Sequence, residues 1–159
     1  MTVYSGTFAP ARGEGEAPSF RDPLAEAREK LRHAARLPFH AARPNSWQES
    51  FRSLTMDARA DIRRHIWLAS LPDSPLSRVE QAEPRLGHRV EAQKCEHDLF
   101  SQNVDELVAA ANEPSPADIW KMIELGERAI LLEMALARHH NRLSQLIYET
   151  THQDVGVAG

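Results

Sequence analysis

Apolar residues recur at helical spacing along most of this chain of 159 residues. The clearest run alternates steps of four and three residues, the pattern of a helix that packs along one seam of a neighbour. The seam contains Leu86, Val90, Gln93, His97, Phe100, Val104, Leu107 and Ala111. We therefore predict a helix here, with a seam that is polar in its middle.

A longer helix is predicted over about 116–149. Asn112-Glu113-Pro114 interrupts the first helix, and 115–118 then supply a cap hydroxyl, a proline at the first helical position and an acid that suits the helix dipole. One broad apolar face contains Ile119, Met122, Ile123, Ala129, Ile130, Leu136, Ala137, Leu143 and Ile147. Further apolar residues extend it around the helix, namely Trp120, Leu125, Leu131, Leu132 and Met134. Such a helix is buried on several sides, so we expect it to pack within an assembly or a bundle.

Two shorter helices are predicted ahead of this hairpin. Asp22 and Pro23 provide an N-cap followed by proline at the first helical position. The helix that they begin has apolar positions at Leu24, Ala27, Leu31 and Ala34. The second helix, over about 46–70, begins with a capping box at 46–49. Its apolar face contains Trp47, Phe51, Leu54, Ala58, Ile62 and Ile66, and needs a partner surface.

Proline and glycine divide the chain into segments. Residues 1–21 contain three Gly and two Pro without periodic apolar spacing, which predicts a disordered leader. The remaining segments are an Arg-rich helical region (22–70), a Pro-containing linker (71–85), the helical hairpin (86–149) and a flexible tail (150–159). The predicted fold class is all-α: a long C-terminal helical hairpin preceded by one or two shorter helices and a disordered N-terminal tail.

Composition narrows the class of protein. The chain is 42% hydrophobic and 6% aromatic, so its core should be aliphatic and thin. No apolar run approaches the roughly 18 to 20 residues of a membrane span, and the N-terminus lacks the pattern of a Sec signal peptide. The single cysteine, Cys95, excludes an internal disulfide framework and fits a reducing compartment. We expect a chain that is made in the cytoplasm and does not span a membrane.

Charge is unevenly distributed. Residues 1–70 carry 11 Lys and Arg against 8 Asp and Glu, whereas residues 71–159 carry 8 against 15. Phosphate-binding candidates in the basic part are Arg28, Arg32, Arg36, Arg43, Arg52, Arg59, Arg63 and Arg64. Because acids are interleaved with them, the pattern favours a solvated face over a nucleic-acid partner.

The eight histidines raise the question of a metal site. A di-iron bundle needs Glu-x-x-His on two helices, and Glu149 with His152 forms the single instance in the chain. His139 and His140 are adjacent and diverge by about 100° around a helix, so they do not chelate one ion together. The spacing therefore predicts no metal and no cofactor.

The sequence also shows no recognisable arrangement of catalytic residues. Cys95 and His97 are two residues apart on a helix and point away from each other. We interpret His97 as a core histidine, hydrogen-bonded to Gln93 or to the facing helix, and Asp61 with His65 as an ordinary surface pair. We expect no catalytic residues and no enzymatic activity.

The segment 112–149 combines a polar, Pro-containing turn, a long aliphatic helix and a closing stretch with Arg142, Ser144 and Gln145. In this plan it resembles the C-terminal hairpin of type III secretion inner-rod proteins, a family related to the flagellar rod-base protein. The matching positions are Pro114, Pro116, Ile119, Met122, Ile130, Leu132, Glu133, Ala137, Arg142, Ser144, Gln145, Leu146 and Ile147. Leu86-Gly87-His88 and the helix 90–111 resemble the first arm of that hairpin.

The resemblance implies a structural subunit whose copies polymerise through the hairpin. Its partners would be further copies and the needle and export-gate subunits, with export from the cytoplasm into the envelope-embedded apparatus by the N-terminal leader. The predicted assembly interface comprises Leu86, Val90, Phe100, Val104, Leu107, Ile119, Met122, Ile123, Ile130, Leu136, Leu143 and Ile147. One alternative is a soluble helical-bundle adaptor or chaperone, whose helix 46–70 folds onto the hairpin and whose Arg-rich face binds a protein or nucleic acid. A small metal or redox bundle is a third hypothesis.

Overall fold

A computed structural model describes residues 21–39, 42–114 and 118–153. The helices are α1 (Pro23–Ala35), α2 (Pro44–Ala69), α3 (Pro75–Ala82), α4 (Gly87–Ala111) and α5 (Ile119–Gln153), with a 3₁₀ turn at Pro84–Leu86. The predicted all-α class with a long C-terminal helix is confirmed. The predicted leader 1–21, apart from its last residue, and the end of the predicted tail lie outside the described residues. None of the helices in the described ranges has the length and apolarity that crossing a membrane requires.

The first helix begins as predicted and the second does not. The carboxylate of Asp22 accepts a hydrogen bond from the backbone N–H of Leu24 at 3.0 Å, ahead of proline at the first helical position. For α2 the capping-box prediction is wrong, because Pro44 starts the helix and Arg43 is the N-cap without a side-chain bond. Proline has no N–H to satisfy and a φ that suits the first turn, so it extends the helix by two residues. Ser46 therefore lies inside the helix.

The linker and the last helix have their own caps. Within 71–85, the Ser74 hydroxyl accepts from the backbone N–H of Ser77 at 3.1 Å and starts α3. At α5 the Asp118 carboxylate accepts from the backbone N–H of Lys121 at 2.8 Å. The predicted cap hydroxyl at 115 lies outside the described residues. The helix continues through Gln153, beyond the predicted end at 149.

Four helices close a ring in the order α1, α2, α4, α5, since each packs on the next and α5 packs on α1. The main core lies inside this ring. Its buried residues are Leu24, Ala27, Leu31, Ala34, Trp47, Phe51, Ala58, Ile62, Phe100, Val104, Leu107, Ala111, Met122, Leu125, Ala129, Leu132 and Leu136. The segment 22–70 therefore packs onto α4 and α5 within one chain.

A second, smaller core lies beyond the N-terminal end of α1. With 13 residues, α1 is half as long as α2, and α3 packs on α5 and α4 farther along the bundle. The smaller core comprises Leu76, Val79, Leu86, Val90 and Leu146. Between the two cores, Gln93 and His97 of α4 and His139 of α5 are buried. A polar layer thus separates two apolar ones.

Ion pairs join the basic N-terminal region to the acidic hairpin. Arg28 and Arg32 of α1 both donate to Oε1 of Glu133 on α5, at 3.1 and 2.9 Å. Arg63 of α2 donates to Asp105 of α4 at 3.0 Å. The uneven charge seen in the sequence is therefore partly compensated across helix contacts.

Candidate metal centre

Three histidines from three helices meet in the polar layer. Nε2 of His139 lies 3.3 Å from Nε2 of His65 and 3.3 Å from Nε2 of His97. One ring nitrogen from each of the three lies within 4.8 Å of the other two. His97 and His139 are 7% and 1% exposed, and His65 is partly buried. This is the one group of three or more metal-ligating side chains of this kind in the described residues.

The three histidines lie on the inward faces of their helices. His97 lies on the predicted seam of α4, and His139 follows Leu136 by three residues on the buried face of α5. The proposed hydrogen bond from His97 to the facing helix is confirmed by its contact with His139. The surface-pair interpretation of His65 is wrong, because Asp61 pairs with Lys30 of α1. His65 faces His139 instead.

A carboxylate fixes the orientation of His139. Its Nδ1 lies 2.7 Å from Oε2 of Glu96, and the other oxygen of Glu96 accepts a hydrogen bond from Arg142. A neutral imidazole that donates from Nδ1 carries its lone pair on Nε2, the atom that faces His65 and His97. Metal-ligating histidines commonly have such a carboxylate partner. The ring of Phe100 packs edge-on against His139, with centroids 5.1 Å apart.

The three imidazoles are neutral near pH 7. Burial, with a smaller contribution from the neighbouring imidazoles, lowers the pKa of His65 to about 4 and that of His97 to about 3. Burial also lowers the pKa of His139, although Glu96 acts in the opposite direction. Neutral imidazoles offer lone pairs without first losing a proton, as metal binding at neutral pH requires.

A cavity of about 380 Å³ adjoins the histidines. It lies where α1 and α3 begin, and its lining is mostly apolar. The lining residues are Asp22, Pro23, His65, Leu68, Ala69, Leu71, Asp73, Ser74, Pro75, Leu76, Gln93, His97, His139 and Leu143. Gln93 is 2% exposed, and its Oε1 has no hydrogen-bond partner among the described residues. The volume lies within the range of small-molecule sites.

The spacing of the nitrogens suits a transition metal. Zinc binds histidine nitrogen at about 2.0–2.1 Å, so two nitrogens of a tetrahedral site lie about 3.3 Å apart. Two of the three pairs already have this separation, and the third pair is within 4.8 Å. Three histidines leave one coordination position for water or a ligand, as in catalytic rather than structural zinc sites. Imidazole also suits iron, nickel and copper.

Same-helix spacing was the wrong test for this site. It detects histidines that share one helix, whereas the structure joins one histidine from each of α2, α4 and α5. The sequence contains one signal for this site: Gln93 and His97 are polar residues at inward positions of the α4 seam. His65 carried no comparable signal, because its position falls between the apolar steps of α2.

The predicted assembly residues lie at different depths within the monomer. Seven of them are buried inside it: Leu86, Val90, Phe100, Val104, Leu107, Met122 and Leu136. Ile130, Leu143 and Ile147 are partly buried, and Ile119 and Ile123 are exposed. Of the family-matching residues, Arg142 donates to Glu96, the carboxylate partner of His139, whereas Ser144 and Gln145 are exposed. Cys95 is exposed and lies outside the centre.

Comparisons with protein-family models, with curated proteins and with solved structures found no match to this chain.

Proposed function

We propose that this protein binds one divalent transition-metal ion through Nε2 of His65, His97 and His139, and that the ion's open position serves a small molecule in the adjoining cavity. The observation that supports this most strongly is the convergence of three neutral imidazoles from three helices beside a cavity. The carboxylate on His139 supports it independently.

A purely structural histidine cluster explains the same geometry less well. The single lone pair of His139 Nε2 faces two other Nε2 atoms, each at 3.3 Å. Without an ion, that lone pair has to accept from both neighbours or leave one contact unfavourable. An ion between the rings accepts a lone pair from each of the three. A bound ion therefore uses the lone pair of each of the three Nε2 atoms.

The chemistry of such a site follows from its open position. A zinc ion held by three neutral histidines would lower the pKa of a bound water to about 7 and would polarise a bound carbonyl as a Lewis acid. The protein's own contribution is to orient the imidazoles through Glu96 and to surround the open position with apolar side chains. The proposed function is metal-dependent binding and activation of a small molecule.

Cobalt is the best probe, because tetrahedral Co²⁺ absorbs visible light. We expect the purified full chain, stripped with a chelator, to bind one Co²⁺ per chain with the intense visible bands of tetrahedral coordination. His65→Ala, His97→Ala and His139→Ala should each weaken binding at least about 100-fold, and Glu96→Gln about 10- to 100-fold.

His140→Ala is the matched control, because His140 neighbours His139 on α5 and its side chain is 44% exposed. It should bind cobalt like the unaltered chain. Circular dichroism should show that each variant remains helical. A folded protein that binds no stoichiometric cobalt, or equal losses in His139→Ala and His140→Ala, would overturn the proposal.

The secretion-apparatus subunit is a second candidate function, and one observation favours it. Several large apolar side chains of α5 face solvent: Ile119, Trp120, Ile123, Leu131, Met134 and Tyr148. A polymer built through the hairpin would have to use these residues, because most of the other predicted interface residues are buried within one chain. Sedimentation of the purified chain tests this candidate.

A further inference from the structure

Apolar residues of the cavity follow two of the histidines by one helical turn. Ala69 lies four residues after His65 on α2, so the two share a helix face. Leu143 stands in the same relation to His139 on α5. The two helices run in the same direction, because the residues that contact α1 fall in number along each of them as α1 proceeds. Both apolar residues therefore lie on the same side of the proposed metal position.

The surface that this cavity offers to a ligand is apolar. Nearly all of its accessible area belongs to apolar atoms. The apolar lining residues that are only partly buried, and so remain accessible, are Leu68, Ala69, Leu71 and Leu143. An apolar group that displaces water from such a surface binds favourably, roughly in proportion to the area that it covers.

The cavity also has a direction. The buried His97 and His139 mark its inner end, and it opens to solvent where Asp73 and Pro75 are exposed. A molecule that coordinates the ion therefore enters with its coordinating group first. The rest of the molecule then lies against the apolar lining between the ion and the mouth.

Resting on the proposed metal site, we infer that the cavity selects ligands in which a metal-coordinating head is joined to a compact apolar body. The head gives its lone pair to the ion, and the body covers the apolar lining one turn beyond the histidines. A divalent ion accepts a lone pair from a neutral or an anionic head, so the body determines the selection. Ala69 and Leu71 are then specificity-determining residues of the ligand site.

The compounds 1-methylimidazole and 1-butylimidazole form a matched probe pair, because they share the coordinating ring and differ by three CH₂ groups. Each is titrated into the Co²⁺-loaded full chain and followed by the visible bands. In the unaltered chain the butyl compound should bind about 10- to 60-fold more tightly, since a fully buried CH₂ group contributes about 4-fold.

Two variants of the lining test where the butyl group binds. Ala69→Leu fills part of the cavity and should reduce the preference by at least about 4-fold, the contribution of one CH₂ group that no longer fits. Leu71→Asn should also reduce the preference, because it places an amide in the lining without filling the space. Ala60→Leu is the matched control, since Ala60 is exposed on the same helix and lies outside the cavity. It should keep the full preference.

The possible outcomes separate this inference from the proposed function. If cobalt binds and the unaltered chain binds the two probes equally, the inference is overturned and the metal site stands. If Ala69→Leu and Leu71→Asn both keep the full preference, the butyl group binds elsewhere on the protein and the inference is again overturned. An equal loss of preference in Ala60→Leu and Ala69→Leu also overturns it. If no cobalt binds, the proposed function and the inference fall together.

Discussion

Two layers of the same bundle have opposite character, although α2, α4 and α5 contribute to both. In the apolar layer, Phe51 and Phe100 are 0% and 4% exposed and pack with Leu132. The polar layer lies about four turns after Phe51 on α2, about one to two turns before Phe100 on α4 and about two turns after Leu132 on α5. There, three histidines and Gln93 line a cavity. The backbone of the three helices is regular in both layers. The difference therefore lies in the side chains alone.

The two layers differ in whether their buried polar groups have hydrogen-bond partners. In the apolar layer, the buried hydroxyl of Thr55 donates to the carbonyl of Phe51 at 2.9 Å and is satisfied within its own helix. In the polar layer, Oε1 of Gln93 has no partner in the described part of the chain, and the lone pair of His139 faces two nitrogens. The comparison teaches that the apolar layer satisfies its buried polar groups, whereas the polar layer retains a buried acceptor without a partner and a lone pair shared between two contacts.

The largest expected effect comes from breaking the apolar layer. Phe51→Ala should lower the free energy of unfolding by about 3–5 kcal/mol, because it removes a fully buried ring from a packed core. Urea denaturation measures the change. Trp67→Ala, on the same helix but 61% exposed, should stay within about 0.5 kcal/mol. Equal losses in the two variants would contradict the assignment of stability to this layer.

The sequence predicts the apolar layer far better than the polar one. Heptad-like spacing placed Val90, Phe100, Val104 and Leu107 on one face of α4, and all four are buried. A single helix buries one face, so periodicity within that helix is enough to identify it. The start of α2 is predicted less well, since Pro44 begins the helix two residues before the expected capping box.

The histidine site depends on which helices are neighbours. His65, His97 and His139 are separated by 32 and 42 residues in the sequence, and no local pattern states that their helices share a layer. Helix packing and the short length of α1 bring them together and leave the cavity beside them. Same-helix spacing detects i, i+4 chelation and misses this arrangement.

An intermediate effect is expected from Glu133, which joins α1 to α5 at the edge of the apolar layer. Burial raises the pKa of Glu133, but hydrogen bonds from Arg32 and Arg28 outweigh it, so the pKa falls below its ordinary value of 4.5. The ionised form is thus favoured on folding. Glu133→Gln should cost about 1–2 kcal/mol at pH 7, allowing for the partial exposure of both arginines.

The stability difference between Glu133→Gln and the unaltered chain should depend on pH in a defined direction. A carboxyl with a lowered pKa contributes stability above its unfolded pKa, and that contribution is lost as pH falls through the folded value. The gap between Glu133→Gln and the unaltered chain should therefore close below about pH 4.5. Glu127→Gln, exposed on the same helix, is the control and should show no such gap. A gap that is unchanged at pH 3 would mean that the ion pairs do not cause it.

The smallest effect is expected on the outward face of α5, where Leu131 is 63% exposed and its neighbour Leu132 is 5% exposed. Leu131→Gln should change the free energy of unfolding by no more than about 0.5 kcal/mol, whereas Leu132→Gln should destabilise the chain severely. Under the metal-site proposal, Leu131→Gln also sediments like the unaltered chain and binds cobalt equally. If the unaltered chain polymerises and Leu131→Gln prevents it, the outward face is an assembly surface, and the secretion-subunit candidate gains the support that the buried hairpin residues do not give it.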